Sequence, residues 1–439
     1  MIGKIPPIVA ISISPNSAMI AVPTPPRSDA SWRELLTGQR DPQHANLATR
    51  LVVGHLRQSV RMDTTVLDAA LRELYHYHTS CDPAERAQFL RYDSLAAQDL
   101  RPFMARNLLL TAKETSELIE TGAFIVIAGT EEELASLPPG NWIGGTTGYI
   151  MAPGDHIARP GSLMCSVLEA GVECRIAVLT RDTLSHITDG RYETGFTYVL
   201  LPAFSEVHYS YALTAPGIPG LFEQPIFGWI TGVPMSEVGE RAPKVFDGRS
   251  GSAHENAAVA LHVEIRSACM MTIDLVNPFV QGRGPAIVFP QTGFNAEACT
   301  IDGQPKNFAE YLVEEKIDTS MPLVANYAGA SINVSIRAVD AACGDVQFFA
   351  PVVTGENYRL GAPRADYTRC MAACARSLDR PECALVCRCI LNHLNPGLAN
   401  ADTAGFVGPV TFGEIAYILV NQTLVVMNGE GRCGVQGFV

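Results

Sequence analysis

Apolar residues recur along this chain in two different periods. Between residues 28 and 111 they fall three or four apart. Leu47, Leu51, Val52, Leu56 and Val60 line one stripe of Ala45–Met62, and Leu67, Ala70, Leu71 and Leu74 line another over Val66–Tyr77. That spacing predicts helices. Asp29 or Ser31 would cap a short first helix at Trp32–Leu36. Asp82-Pro-Ala-Glu85 is a further helix start, with proline at the one helical position where a missing N–H costs nothing.

The period changes near residue 112. Thr111 or Thr115 opens a short helix to Thr121, and Ala123–Gly129 is a dry apolar run too short for a buried helix. Glu131–Leu137 reads as a helix stopped by Pro138-Pro139-Gly140. Strands are predicted at Glu173–Leu179, Gly195–Leu201, Glu206–Leu213, Phe227–Val233 and Ala257–Ile265, with a helical turn at Asp182–Ile187. A second unit begins near Ser267. It holds strands at Met271–Asn277, Ser331–Ala338, Asp345–Val352 and Thr423–Met427, and helices at Phe308–Glu315 and Ala365–Leu378. The expected fold is therefore α+β: a helical N-terminal segment followed by two packed mixed α/β units. The expected divisions are a disordered leader over 1–27, a helical region over 28–111, α/β units over 112–266 and 267–428, and a frayed tail over 429–439.

Composition narrows the function classes. The chain has 439 residues, 47% of them hydrophobic and 18% charged, which is enough apolar material for a sizeable core. A net charge of −13 with no basic cluster repels phosphate backbones, so no nucleic-acid partner is expected. No apolar run reaches the roughly 18–20 residues that cross a bilayer, so no membrane partner is expected either. The 12 cysteines are scattered through a large chain. That usage suits a reducing cytoplasm better than a disulfide scaffold.

Two glycine turns echo one another: Gly145-Thr-Thr-Gly-Tyr-Ile150 and Thr411-Phe-Gly-Glu-Ile415. Together with Asp302-Gly-Gln-Pro-Lys-Asn-Phe-Ala-Glu-Tyr311, Cys389 and Asn421-Gln-Thr-Leu424, they give residues 112–428 a pattern that resembles the FIST sensory domain, in both its N-terminal and C-terminal parts. The segment Ala416-Tyr-Ile-Leu-Val420 departs from that pattern, being apolar where the family has glycine and polar residues. Tyr149 stands where the first half of the family often has glutamate. The resemblance implies a small-molecule-sensing protein of signal transduction, some relatives binding haem, with output through a partner protein.

The candidate ligand-binding residues follow from the two turns. Trp142, Tyr149, Phe412 and Tyr417 would supply apolar walls. Gly145, Thr146 and Thr147 offer backbone and hydroxyl groups, and Glu414, Asn421 and Gln422 offer polar anchors. Glu414 is the one charged residue of an apolar stretch, and a buried carboxylate is costly unless something pairs with it. It is either a ligand anchor or a lock between the halves. Cys383, Cys387 and Cys389 are candidate metal ligands, as are His76, His78 and Cys81, so a metal- or haem-binding redox sensor is one alternative. A ligand-free structural scaffold is another. No catalytic residue is predicted. The chain has no Gly-x-Ser-x-Gly and no His-Glu-x-x-His, and Cys389 and His393 on a strand would not meet.

Overall fold

A computed structural model describes residues 105–430, except for 153–155, 159–160, 169–171, 266–269, 328–329, 366, 377–383 and 396–404, and also two short paired strands, Ile8–Ile11 and Ile20–Pro23. The helices expected over 28–111 lie outside these residues, apart from Ala105–Leu110, which is a strand. The α+β expectation is corrected. The described residues are 46% strand and 20% helix, and 105–430 carries six sheets. Most apolar runs here are short, and glycine or proline ends them before a helix can gain length.

Three six-stranded sheets share one plan, and the chain builds them three times over. Each unit runs strand, helix, strand, helix, strand, turn, hairpin, strand. The first unit is Ala105–Leu110, helix Ala112–Glu120, Ile125–Gly129, helix Glu131–Ala135, Trp142–Thr146, hairpin Tyr149–Ala152 with His156–Ala158, and Leu163–Leu168. The second is Cys174–Leu179, the 3-10 turn Arg181–His186, Gly195–Pro202, helix Glu206–Thr214, Ile226–Thr231, hairpin Val245–Asp247 with Ser252–His254, and Ala258–Glu264. The third is Met270–Val276, helix Tyr367–Arg376, Leu385–Cys389, helix Ile390–Leu394, Gly408–Thr411, hairpin Glu414–Ala416 with Ile418–Val420, and Leu424–Glu430. In every unit the two strands flanking the second helix pair in parallel.

The hairpins do not stay with their own unit. Tyr149–Ala152 pairs with Gly408–Thr411 of the third unit, Glu414–Ala416 pairs with Ile226–Thr231 of the second, and Val245–Asp247 pairs with Trp142–Thr146 of the first. Each unit thus hands its hairpin to a neighbour in a closed cycle, and three units stand where two were expected. One core lies between the sheets, with Val126 and Ile143 from the first, Phe227, Trp229 and Leu261 from the second, and Leu385, Val425 and Met427 from the third. Burying this shared face stabilises all three units at once, at about 25 cal/mol per Å² of apolar surface.

The third unit carries an insertion. Between Val276 and Tyr367 the chain folds three smaller sheets and the helix Phe308–Glu314 around their own core of Phe289, Phe308, Phe348 and Tyr358. Amide pairs dock it: Asn277 and Asn333 exchange side-chain bonds at 2.8 and 3.0 Å, and Asn333 also donates to Gln422 O at 3.2 Å.

Local chemistry starts the helices. Thr111 and Thr130 both form capping boxes, with Glu114 and Glu133 returning to the cap backbone. Replacing either threonine with alanine should lower stability by about 1 kcal/mol in a urea titration. The strand expected at Glu206–Leu213 is instead a helix. Ser205 accepts from His208 N–H as its cap, and the buried positions Val207, His208 and Tyr211 follow a helical period. The alternation of Val207, Tyr209, Tyr211 and Leu213 mimicked a strand.

Candidate functional site

Three turns meet at one end of the shared core, each at the carboxyl end of a parallel strand pair. They are Thr146-Thr147-Gly148, Thr231-Gly232 and Thr411-Phe412-Gly413. The strand Ile226–Thr231 ties them together. Ile230 N–H donates to Gly413 O at 2.8 Å, and Ile230 O accepts from Phe412 N–H at 3.0 Å. Gly232 N–H donates to Thr146 O at 2.9 Å. Thr147 Oγ1 donates to Val410 O at 2.6 Å. Crowding selects glycine at two of the turns. A Cβ on Gly148 would lie 2.7 Å from the Pro234 backbone, and one on Gly232 would lie 2.3 Å from the Phe412 ring.

Glu414 points into the core beside Trp229, its cross-strand partner, and is 0% exposed. Thr411 Oγ1 donates to Oε1 at 3.0 Å and Thr423 Oγ1 donates to Oε2 at 2.7 Å. Burial lifts its carboxyl from 4.5 to about 8, against the pull of the Thr423 and Thr411 hydroxyls and the Cys389 thiol. The group is therefore mostly neutral at pH 7, and both oxygens are engaged within the chain. That geometry suits a lock better than a ligand anchor.

The other candidates separate into two groups. Thr146, Thr147, Tyr149 and Phe412 stand at the turns. Gly145 leaves room for Trp229, since a Cβ there would lie 2.6 Å from its indole. Tyr149 is half-buried, 6.2 Å from the His393 ring, and its hydroxyl accepts from Met235 N–H at 3.4 Å. Asn421 Oδ1 accepts from Ser335 Oγ at 2.8 Å and from its N–H at 3.2 Å, and Gln422 Oε1 lies 2.7 Å from the same hydroxyl. Trp142 and Tyr417 sit at the amino ends of the parallel strands. Trp142 stacks on Phe246 and donates to Pro138 O at 2.9 Å, while Tyr417 packs against Phe222 and its N–H donates to Ile226 O at 2.8 Å.

Of the metal candidates, only Cys387 and Cys389 are among the described residues. His76, His78, Cys81 and Cys383 lie outside the described residues. Cys387 and Cys389 are fully buried on one face of Leu385–Cys389, and burial raises both thiols well above their ordinary range. Cys387 Sγ donates to Gly228 O at 3.4 Å. Among the described residues no three His, Cys, Asp or Glu side chains are grouped to hold a metal ion.

Three residues not singled out from the sequence as binding residues, Thr231, Asn392 and His393, join the candidate Asn421. Thr231, Asn392 and Asn421 are 0%, 0% and 1% exposed, and His393 is half-buried. Thr231 Oγ1, Asn392 Oδ1, Asn421 Nδ2 and His393 Nδ1 are shielded from solvent and have no hydrogen-bond partner. The amide orientations are set by their other halves, because Asn392 Nδ2 donates to Thr423 O at 3.1 Å and Asn421 Oδ1 is taken by Ser335. Buried polar groups almost always find partners, so these four unpartnered atoms stand out. An exposed apolar rim adjoins them: Met235 beside Tyr149, and Leu394 beside His393. Two shallow depressions, of about 450 and 380 Å³, lie elsewhere, lined in part by Lys244, His254 and Glu255 and by Leu312, Lys316 and Arg337. No described helix is long and apolar enough to cross a membrane.

A β-rich core of three interlocked units with a polar junction at one end is the class this molecule defines. The chain belongs to a family of unknown function, DUF6976, whose model matches residues 110–430. No curated protein and no solved structure matches it.

Proposed function

We propose that this protein binds a small, uncharged polar molecule where the three turns meet, and that binding is its signal. The orphaned polar atoms carry this reading. Asn421 Nδ2 can only donate, Asn392 Oδ1 can only accept, and Thr231 Oγ1 can do either. A ligand that satisfies all three needs both donors and acceptors and no net charge. Tyr149, His393 and Met235 would close its apolar side.

Each turn passes the chain from one sheet to the next. A ligand that orders the turns therefore biases all three sheets together, and a partner protein would read that shift. The free cysteines of the described residues suit a reducing compartment, and we place the protein in the cytoplasm.

A thermal-shift screen of neutral polar metabolites, including sugars, amides and nucleobases, tests the proposal. At least one should raise the melting temperature saturably, because it binds only the native state. Asn421→Asp keeps the shape and the acceptor but removes the Nδ2 donor, and should weaken that ligand about tenfold. A ligand that stabilises Asn421→Asp and wild type equally binds somewhere else.

A further inference from the structure

A second group of unanswered donors lies at the opposite end of the second sheet, on its outer face. Arg191 Nε donates to Thr197 Oγ1 at 3.2 Å, and Arg191 Nη1 donates to Gly220 O at 2.9 Å. Both acceptors are neutral. Among the described residues no carboxylate forms an ion pair with Arg191, and its Nη2 is shielded from solvent without an acceptor. A partly buried guanidinium with no carboxylate in ion-pair contact is costly.

His262 faces the same hydroxyl. It pairs with Thr197 across the sheet, and its Nδ1 lies 3.0 Å from Thr197 Oγ1. Thr197 Oγ1 accepts from Arg191 and keeps its own proton for a further bond; in the tautomer where that proton goes to His262 Nδ1, the imidazole carries its proton on Nε2. His262 is 2% exposed, and its Nε2 is a second buried polar atom with no partner, a donor in that tautomer. Arg175 is the cross-strand neighbour of His262 on its other side, and lies over the Tyr192 ring at 4.3 Å. Burial above all, and then Arg191 and Arg175, hold the imidazole toward its neutral form, Asp189 opposes them, and Glu223 acts on Arg191. Tyr417 also borders Arg191, with Phe222, 59% exposed, against its ring.

We propose that Arg191, His262 and Thr197 form a site for a small oxyanion, either inorganic phosphate or the carboxylate of a small organic acid. The guanidinium supplies charge and a fork of donors, which matches an oxyanion bidentately. The His262 Nε2–H adds a directed neutral donor. Phe222 and Tyr417 offer an apolar wall to the remainder of an organic acid. This site and the turn junction lie at opposite ends of the parallel strands, so either can fail alone.

The test titrates the full chain with sodium phosphate and with sodium acetate, against sodium chloride at matched ionic strength, and reads the melting temperature. A saturable rise with phosphate, with acetate or with both supports the site and tells the two chemistries apart. Arg191→Gln should lose at least tenfold in apparent affinity, and Arg191→Lys should lose less. Should Arg191→Gln fail to fold, His262→Leu in the same titration decides the matter, with a loss of about threefold or more expected. No saturable rise beyond the chloride control, or an undiminished rise in these variants, would overturn the proposal.

Discussion

Raising the pH from about 4.5 toward 8 should destabilise the native protein relative to its Glu414→Gln variant; His208 and His262, which burial holds neutral, titrate alike in both and cancel from that difference. The folded carboxyl titrates near 8, and its reference value is 4.5. Below 4.5 both states are protonated, and the stabilisation is fully present. Between the two values the unfolded state has released its proton while the folded state keeps it. Stability therefore falls as pH rises, and the fall ends once the folded carboxyl also ionises. The loss is on the order of a few kcal/mol, since each tenfold difference in proton affinity between the two states corresponds to about 1.4 kcal/mol. Urea titrations of wild type and Glu414→Gln at pH 5, 6.5 and 8 should diverge, with the glutamine variant gaining relative stability at each step. Parallel curves would mean that Glu414 is ionised in the folded protein. Glu414→Ala is the harsher change. It strips Thr411 and Thr423 of their common partner and leaves a void, so a cost of roughly 3 kcal/mol or more is expected at any pH.

Gly148→Ala should be as damaging, for a different reason. The new methyl would meet Pro234 Cα and N at 2.7 Å and Val233 C at 3.0 Å, all backbone. Nothing there can rotate away, so the turn or the 233–244 segment must move. Overpacking of this kind costs about 1–3 kcal/mol, and a rigid backbone neighbour puts this site at the upper end. Gly232→Ala instead meets the Phe412 ring, a half-buried side chain that can turn, and should cost less. Thermal unfolding of both variants checks the ranking. The reverse order would mean that the first turn is looser than its contacts imply.

Much of the element map was legible because the elements are local. Asp345–Val352 alternates polar and apolar residues, and the structure has a strand over those residues. Thr111 and Thr130 start their helices with capping boxes whose two members are three residues apart. The echo of Thr146–Ile150 in Thr411–Ile415 suggested that the two turns meet, and Val410 does pair with Tyr149. The architecture was not legible. Hairpin exchange depends on which distant edge accepts a strand, and Tyr149 and Val410 are far apart in the chain. The third repeat was hidden by two insertions. One is residues 233–244 between Gly232 and Val245, and the other is the domain that separates Val276 from Tyr367. With a whole domain inside the third unit and two units in the first half, a two-part reading looked natural.

The junction residues were half legible for a similar reason. Glu414 stood out because a charge in an apolar run is conspicuous. Asn392 and His393 did not, because Cys389 and His393 read as lying on one strand, whereas the chain turns into a helix at Ile390. The helix carries both side chains toward the turns. An orphaned amide half becomes visible only when the backbone partner of the other half is known, as with Asn392 and Thr423 O. Trp142 and Tyr417 were drawn in by closeness along the chain. A strand of five residues spans roughly 17 Å, which is enough to place its two ends on opposite sides of the core.

The exchange of hairpins between units creates the junction, so a cross-link through one exchanged strand is the most direct measurement. Ile150 and Pro409 are register partners across the first and third units. In the double variant Ile150→Cys/Pro409→Cys, mild oxidation followed by peptide mapping should find a disulfide joining the two positions within one chain, and neither single variant should yield it. If the two engineered thiols stay free, or bond only to native cysteines, while the variant remains folded, the hairpin does not leave its own unit and the meeting of the three turns is wrong.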